Sequence, residues 1–194
     1  KTPVASLGSC FAEEFAYHML SKGFNYIRTE KNRSSSANWG RVYTIPNLKQ
    51  IVDYSIDSSY PVIIEKTSRR SNKQEAPGWF DPLRDRSPLH QDAETAKAEI
   101  QKHRAASLEV FQKAQVLVIT LGQNEGWRDK TNGLVWAQRP PSDILEADPQ
   151  RFTGRRAFIR ERREHRPAAP AVGPRRDPIA QIVGPHRRHA VRQR

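Results

Sequence analysis

The 194-residue chain carries 33 Lys and Arg against 21 Asp and Glu, a net charge of +12, with a single Cys and 36% hydrophobic residues. That length supports one sizeable core. No run approaches the roughly 18 apolar residues of a membrane-spanning helix, and one Cys excludes an internal disulfide and fits a reducing cytoplasm.

Residues 4–7 read as a buried strand that stops at Gly8-Ser9. From 11 to 22 the residues Phe11, Ala12, Phe15, Ala16, Met19 and Leu20 recur at helical spacing, and Gly23 is a natural stop. Residues 24–28 read as a second strand, so 4–28 is expected to form a βαβ unit that opens an α/β sheet. A Ser-rich loop over 29–38 follows. Pro46 suits a first helical turn, and a helix is expected over 46–56. A short strand is expected at 62–64 and a solvated turn at 69–75. Trp79-Phe80-Asp81-Pro82 reads as a strand end, because Pro82 cannot continue a ladder.

Asp92 is a natural cap for a long helix over 93–114. The Val-Leu-Val-Ile run within 115–121 has the composition of a strand buried on both faces. Asn132-Gly133, between Trp127-Arg128 and Leu134-Val135-Trp136, is a type I′ turn signal, and Pro140-Pro141 closes the hairpin.

Two strands thus end in chemically marked loops, one at Ser9-Cys10 and one at 122–127. A helix start carries unpaired N–H groups and a partial positive charge, so a hydroxyl or thiol there sits where a developing anion is stabilised. In open α/β sheets the ligand crevice lies beyond the carboxyl ends of the strands.

Gly8-Ser9-Cys10-Phe11-Ala12 is, letter for letter, the motif of the GSCFA family, which resembles a branch of the SGNH hydrolases. Leu121, Gly122, Glu125 and Trp127 match that family's Leu-Gly-x-x-Glu-x-Trp, and the likeness covers about residues 3–152. It implies a flavodoxin-like, mostly parallel α/β sheet with helices on both faces, incomplete at its C-terminal end. It also implies an ester hydrolase or O-acyltransferase acting on acylated carbohydrate or a similar small ester. On this resemblance Ser9 is the nucleophile, with Cys10 as the alternative. Gly40 is a backbone oxyanion donor, Asn124 a side-chain donor, and Glu125 a polar group that bonds or orients the loop. Trp39, Trp79, Trp127 and Trp136 either line a cleft or fill the core, and a non-catalytic glycan-binding module is the competing reading.

The chain departs from the pattern in one respect. None of the six His residues has Asp or Glu three positions before it, so the Asp-x-x-His that supplies base and orienter is missing and the chain is expected to be inactive as it stands. His90 is the loop histidine with some reach toward a site, while His18 and His103 fall within helices. A P-loop, a Gly-x-Gly-x-x-Gly fingerprint, a Gly-x-Ser-x-Gly elbow and metal-spaced His or Cys are all missing, so no cofactor or metal is expected.

The charge excess belongs to one end. Residues 1–150 hold 20 Lys plus Arg against 18 Asp plus Glu, whereas 151–194 hold 13 Arg against three acidic residues. From 152 onward Arg, Pro, Ala, His and Gly dominate and no apolar period is sustained. We divide the chain into a partial domain over 1–151 and a disordered tail over 152–194, with the composition of GC-rich coding DNA read out of frame. A basic arm that binds nucleic acid is the functional alternative and the weaker one.

Overall fold

The computed structural model describes residues 1–31, 35–68, 77–123 and 125–154. Asn124 and the tail beyond Gly154, with the readings placed on them, lie outside the described residues. The chain is a mixed α/β protein with a small parallel sheet.

Strand β1 (Val4–Gly8) pairs in parallel with β4 (Val116–Thr120), in register from Val4 opposite Val116 to Gly8 opposite Thr120. Side chains alternate across a strand. Ala5 and Leu7 therefore face one way, into a core with Trp39, Val42, Val110 and Phe111. Ser6 faces the other way, with its Oγ on Ala12 O (3.2 Å) and on the Tyr26 hydroxyl (2.6 Å). Helix α1 (Cys10–Ser21) lies on the Ser6 side, and α3 (Ala93–Lys113) with α2 (Ile45–Ile56) on the Leu7 side. The starts of α1 and α3 were legible at Ser9 and Asp92 and that of α2 at Pro46, and Ser9, Thr44 and Asp92 each accept a backbone N–H from the first turn.

Three strand expectations need correction. Residues 24–28 are not a strand: a single parallel bridge joins Tyr26 to Val4, through Val4 N–H to Asn25 O (2.9 Å) and Ile27 N–H to Val4 O (2.8 Å). The chain then turns away at Thr29, whose hydroxyl donates to Ala106 O on α3 (2.9 Å). Strand β4 is not buried on both faces, since Val116 and Ile119 are each 44% exposed. Among the described residues it has a neighbour on the β1 side only. The strand expected at 62–64 begins after it, as β2 (Glu65–Thr67), because its antiparallel partner β3 (Gly78–Phe80) reaches those residues.

The expected mostly parallel sheet is likewise confined to β1–β4, and the other described ladders are antiparallel. Strands β5 (Trp127–Asp129), β6 (Val135–Trp136) and β7 (Phe152–Gly154) form a sheet in the order β6-β5-β7. The hairpin is present, but its turn is longer than type I′. Asp129 N–H donates to Leu134 O and Gly133 N–H to Asp129 O (both 2.8 Å), and within the turn only Gly133 has a positive φ. The Asp129 carboxylate selects this form by accepting from Thr131 N (2.9 Å) and Thr131 Oγ1 (2.6 Å).

The short helix α4 (Ser142–Ala147) and β7 went unread in the sequence, the latter because composition grouped Phe152 with the tail. Phe152 is buried, and its ring meets Trp136 edge-on at 4.9 Å in a second core with Phe80 and Ile144.

Candidate functional site

Parallel pairing brings the carboxyl ends of β1 and β4 to one edge of the sheet, and three loops are tied together there. Ser9 N–H donates to Thr120 O (2.7 Å) and Oγ1 (3.1 Å), and Val42 N–H donates to Gly8 O (2.7 Å). Gly122 N–H (3.2 Å) and Gln123 N–H (3.1 Å) both donate to Tyr43 O. The fit needs glycine twice. A Cβ on Gly8 (φ +144°) would sit 2.2 Å from Thr120 O, and one on Gly40 (φ +65°) 2.3 Å from Asp85 O.

Ser9 is half-buried and its Oγ accepts from Phe11 N–H (3.3 Å) as the cap of α1. The same oxygen lies 3.1 Å from Thr120 Oγ1. Among the described residues no histidine or carboxylate is hydrogen-bonded to it. Cys10, one residue on, is exposed and carries a free thiol. Gly40 is buried beside Asp85, and its N–H makes no backbone hydrogen bond among the described residues. The amides of Gly122 and Gln123, by contrast, are occupied by Tyr43 O.

Sequence reasoning missed the charged ring on the flank of this edge. Glu13, one turn into α1 from Ser9, faces Arg41 Nε (3.7 Å) and Arg86 Nη1 (3.9 Å). Asp85 Oδ2 accepts from Arg41 N–H (3.0 Å). Arg86 holds a positive φ of 55°, a conformation that non-glycine residues adopt only when their surroundings enforce it. The only sequence signal was Glu13 in the first turn of α1, where an acidic residue suits the helix dipole.

Glu125 lines a cleft of about 270 Å³ with Tyr43, Gln123, Trp127, Trp136 and Arg139, and Ser9 is not part of its wall. Of the tryptophans, Trp127 and Trp136 line this cleft, whereas Trp39 is core, stacked on Phe111 at 5.7 Å with its Nε1–H on Ser107 Oγ (2.8 Å). Lys66 lies over the Trp79 ring on β3.

The histidines also sort themselves. His18 is exposed, and His90 pairs with Trp79 through both backbone groups (2.8 and 2.9 Å). His103 is buried with Nδ1 2.7 Å from Glu30 Oε2, a carboxylate–imidazole pair made from residues 73 apart in sequence. Burial pushes the Glu30 carboxyl up, but His103 and the Asn38 N–H outweigh it and hold it below the ordinary range. No group of three or more His, Cys, Asp or Glu among the described residues is placed to hold a metal ion, and no described helix is long and apolar enough to cross a membrane.

A capped serine at the ends of two parallel strands, with a third loop tied to Gly8 beside it, defines an α/β protein whose candidate site is a strand-to-helix serine. The chain belongs to the GSCFA family, whose family model matches residues 3–168. The match runs past 152, the end of the likeness read from the sequence. No curated protein and no solved structure matches the chain.

Proposed function

We propose that this GSCFA-family chain carries the serine site of an SGNH-like ester hydrolase or O-acyltransferase for acylated carbohydrate or a similar small ester. The observation that supports it is Ser9 itself, a hydroxyl at the start of α1, level with the end of β4 and next to Gly8, whose carbonyl accepts from Val42 N–H of the loop that carries Gly40. In this reading β1, β4 and their helices are part of a flavodoxin-type sheet. Ser9 Oγ attacks the ester carbonyl, and the Gly40 N–H and the α1 N-terminus stabilise the oxyanion, with Asn124 as a further donor. Glu125 orders the loop. The exposed free Cys10 suits a reducing cytoplasm.

Among the described residues Ser9 Oγ has a hydroxyl and an amide for neighbours and no base, so turnover is expected roughly four orders of magnitude or more below that of a complete triad. A fluorophosphonate probe and an activated acetate ester, read by mass spectrometry, test the assignment. Slow modification of Ser9 is expected, abolished in Ser9→Gly and unaffected in Cys10→Ala. Modification at Cys10 moves the nucleophile to sulfur, and modification at neither residue ends the covalent mechanism.

One observation favours a second reading, a glycan-binding module: the larger cleft is walled by Trp127, Trp136 and Tyr43 and does not include Ser9. It predicts that acetylated and unmodified oligosaccharides quench tryptophan fluorescence equally, without turnover.

A further inference from the structure

Three loops are tied together at the ends of β1 and β4, and two of them continue into the wall of the larger cleft. Val42 N–H donates to Gly8 O (2.7 Å), and the next residue, Tyr43, lines the cleft. Thr120 Oγ1 lies 3.1 Å from Ser9 Oγ, and Gln123, three residues on, lines the cleft as well. Tyr43 O accepts from both Gly122 N–H and Gln123 N–H, which locks the two wall segments to each other. Three residues of chain reach about 10 Å at most, so the wall at Gln123 starts within a span of Thr120 that an acylated sugar can cover. The smaller cavity, where Arg84 Nη2 holds Glu99 and the buried Nε and Nη1 have no hydrogen-bond partner among the described residues, borders neither segment.

The lining suits an uncharged ligand rich in hydroxyls. Gln123 and Gln138 are exposed, and neither side chain is hydrogen-bonded to another described residue. An amide both donates and accepts, as a sugar hydroxyl does, so the two can pair in either sense without a charge. Glu125 and Arg139 are the charged residues of the wall, and their opposite signs leave no net field to select an ion. Trp127 is half-buried, and its ring rests against Gly154, where a Cβ would come within 3.3 Å of it. That backing holds the indole as a platform for the apolar C–H face of a sugar ring. At about 270 Å³ the cleft offers the space of roughly nine waters, enough for one pyranose ring.

We propose that this cleft is the leaving-group subsite of the serine site and takes a neutral pyranose with equatorial hydroxyls, whose acyl ester is presented to Ser9. Equatorial hydroxyls leave the ring faces flat for stacking on Trp127 and direct the oxygens outward to Gln123 and Gln138. The assignment rests on the serine reading, whereas a glycan-binding module would hold the same sugar with no bearing on Ser9. In the step it serves, Ser9 Oγ bonds to the acyl carbon and the acyl C–O bond to the sugar breaks. The sugar leaves as its alcohol, taking from solvent a proton equivalent to the one that the Ser9 hydroxyl gives up.

The test compares acetyl transfer to Ser9 of the full chain from two esters of unactivated alcohols, read by mass spectrometry. One is the set of mono-O-acetates of methyl β-D-glucopyranoside, equilibrated so that each hydroxyl position is represented; the other is 2-methoxyethyl acetate. The glucoside esters are expected to acetylate Ser9 about tenfold faster or more, the gain from holding an ester beside its nucleophile. Excess free methyl β-D-glucopyranoside is expected to remove that advantage. Trp127→Ala is expected to bring the two rates together. Gln138→Ala, at an exposed position, is expected to cut the advantage severalfold and decides the matter if Trp127→Ala fails to fold. Equal rates from the two esters, or an advantage that survives excess free glucoside, would overturn the subsite and leave the serine reading standing. So would transfer from neither ester to a Ser9 that the fluorophosphonate probe modifies. A Ser9 that neither the esters nor that probe modify is the failure of the serine reading, and the subsite falls with it.

Discussion

Gly8 has the least freedom of any residue at the candidate site, because the backbone of Thr120 occupies the space a side chain needs. Gly8→Ala combines that clash with a φ of +144°, and a loss of about 3 kcal/mol or more is expected in urea unfolding. Ser9 needs a pair of variants, since it is both cap and candidate nucleophile. Ser9→Ala is expected to cost about 1 kcal/mol from the lost cap, and Ser9→Gly only a few tenths. Chemistry lost equally in both is therefore chemistry of the hydroxyl.

Asp129 is fully buried and accepts from Arg151 Nε (2.9 Å), from its Nη2 and from Thr131. Burial pushes its carboxyl up, but Arg151 and Thr131 outweigh this and hold it below the usual Asp range. A carboxyl lowered by folding stabilises the protein above its unfolded pKa of about 3.9, and that contribution is lost as pH falls through the folded value. Asp129→Asn is expected to flatten this part of the acid-unfolding curve. Asp129→Ala leaves a charged Arg151 short of a partner and is expected to cost about 3 kcal/mol, measured by denaturant melts at neutral pH.

At the scale of elements, the two cores are joined by an amide side chain acting as a strand. Gln50 on α2 accepts from Val135 N–H and donates to Val135 O (both 2.7 Å), which completes the free edge of β6. Asn47 adds a bond to the same carbonyl (2.9 Å). Gln50→Ala strands the Val135 N–H in a buried position, so a loss of about 1–3 kcal/mol is expected. Hydrogen exchange at Val135 should rise with it, whereas Ser6 on β1 should stay protected. Equal loosening of both would mean that Gln50 supports the whole fold rather than this junction.

For the whole molecule, the outer side of β4 is an exposed apolar edge. Val116, Ile119 and Leu121 are each at least 36% exposed, along a strand with no described neighbour on that side. Apolar edge strands template association. Concentration-dependent self-association of the chain is expected by light scattering, and Ile119→Lys is expected to reduce it. Unchanged scattering would show that β4 is not the sticky edge.

The elements that sequence alone determined are those whose cause is local. Ser9, Pro46 and Asp92 and the spacing of apolar residues specify where α1, α2 and α3 begin, and the Gly-Ser-Cys-Phe-Ala run marks the strand-to-helix serine and the family. Tertiary structure decided whatever depends on a partner far along the chain. Strand pairing reduced 24–28 to one bridge, moved 62–64 on to β2 and gave Phe152 a ladder, because a strand exists only where another reaches it. The Glu30–His103 pair and the half-open guanidinium of Arg84 have no signature in sequence spacing. They exist because α3 brings His103 to Glu30 and sets Glu99 against Arg84 in the loop after β3, where burial turns charge into a demand for a partner.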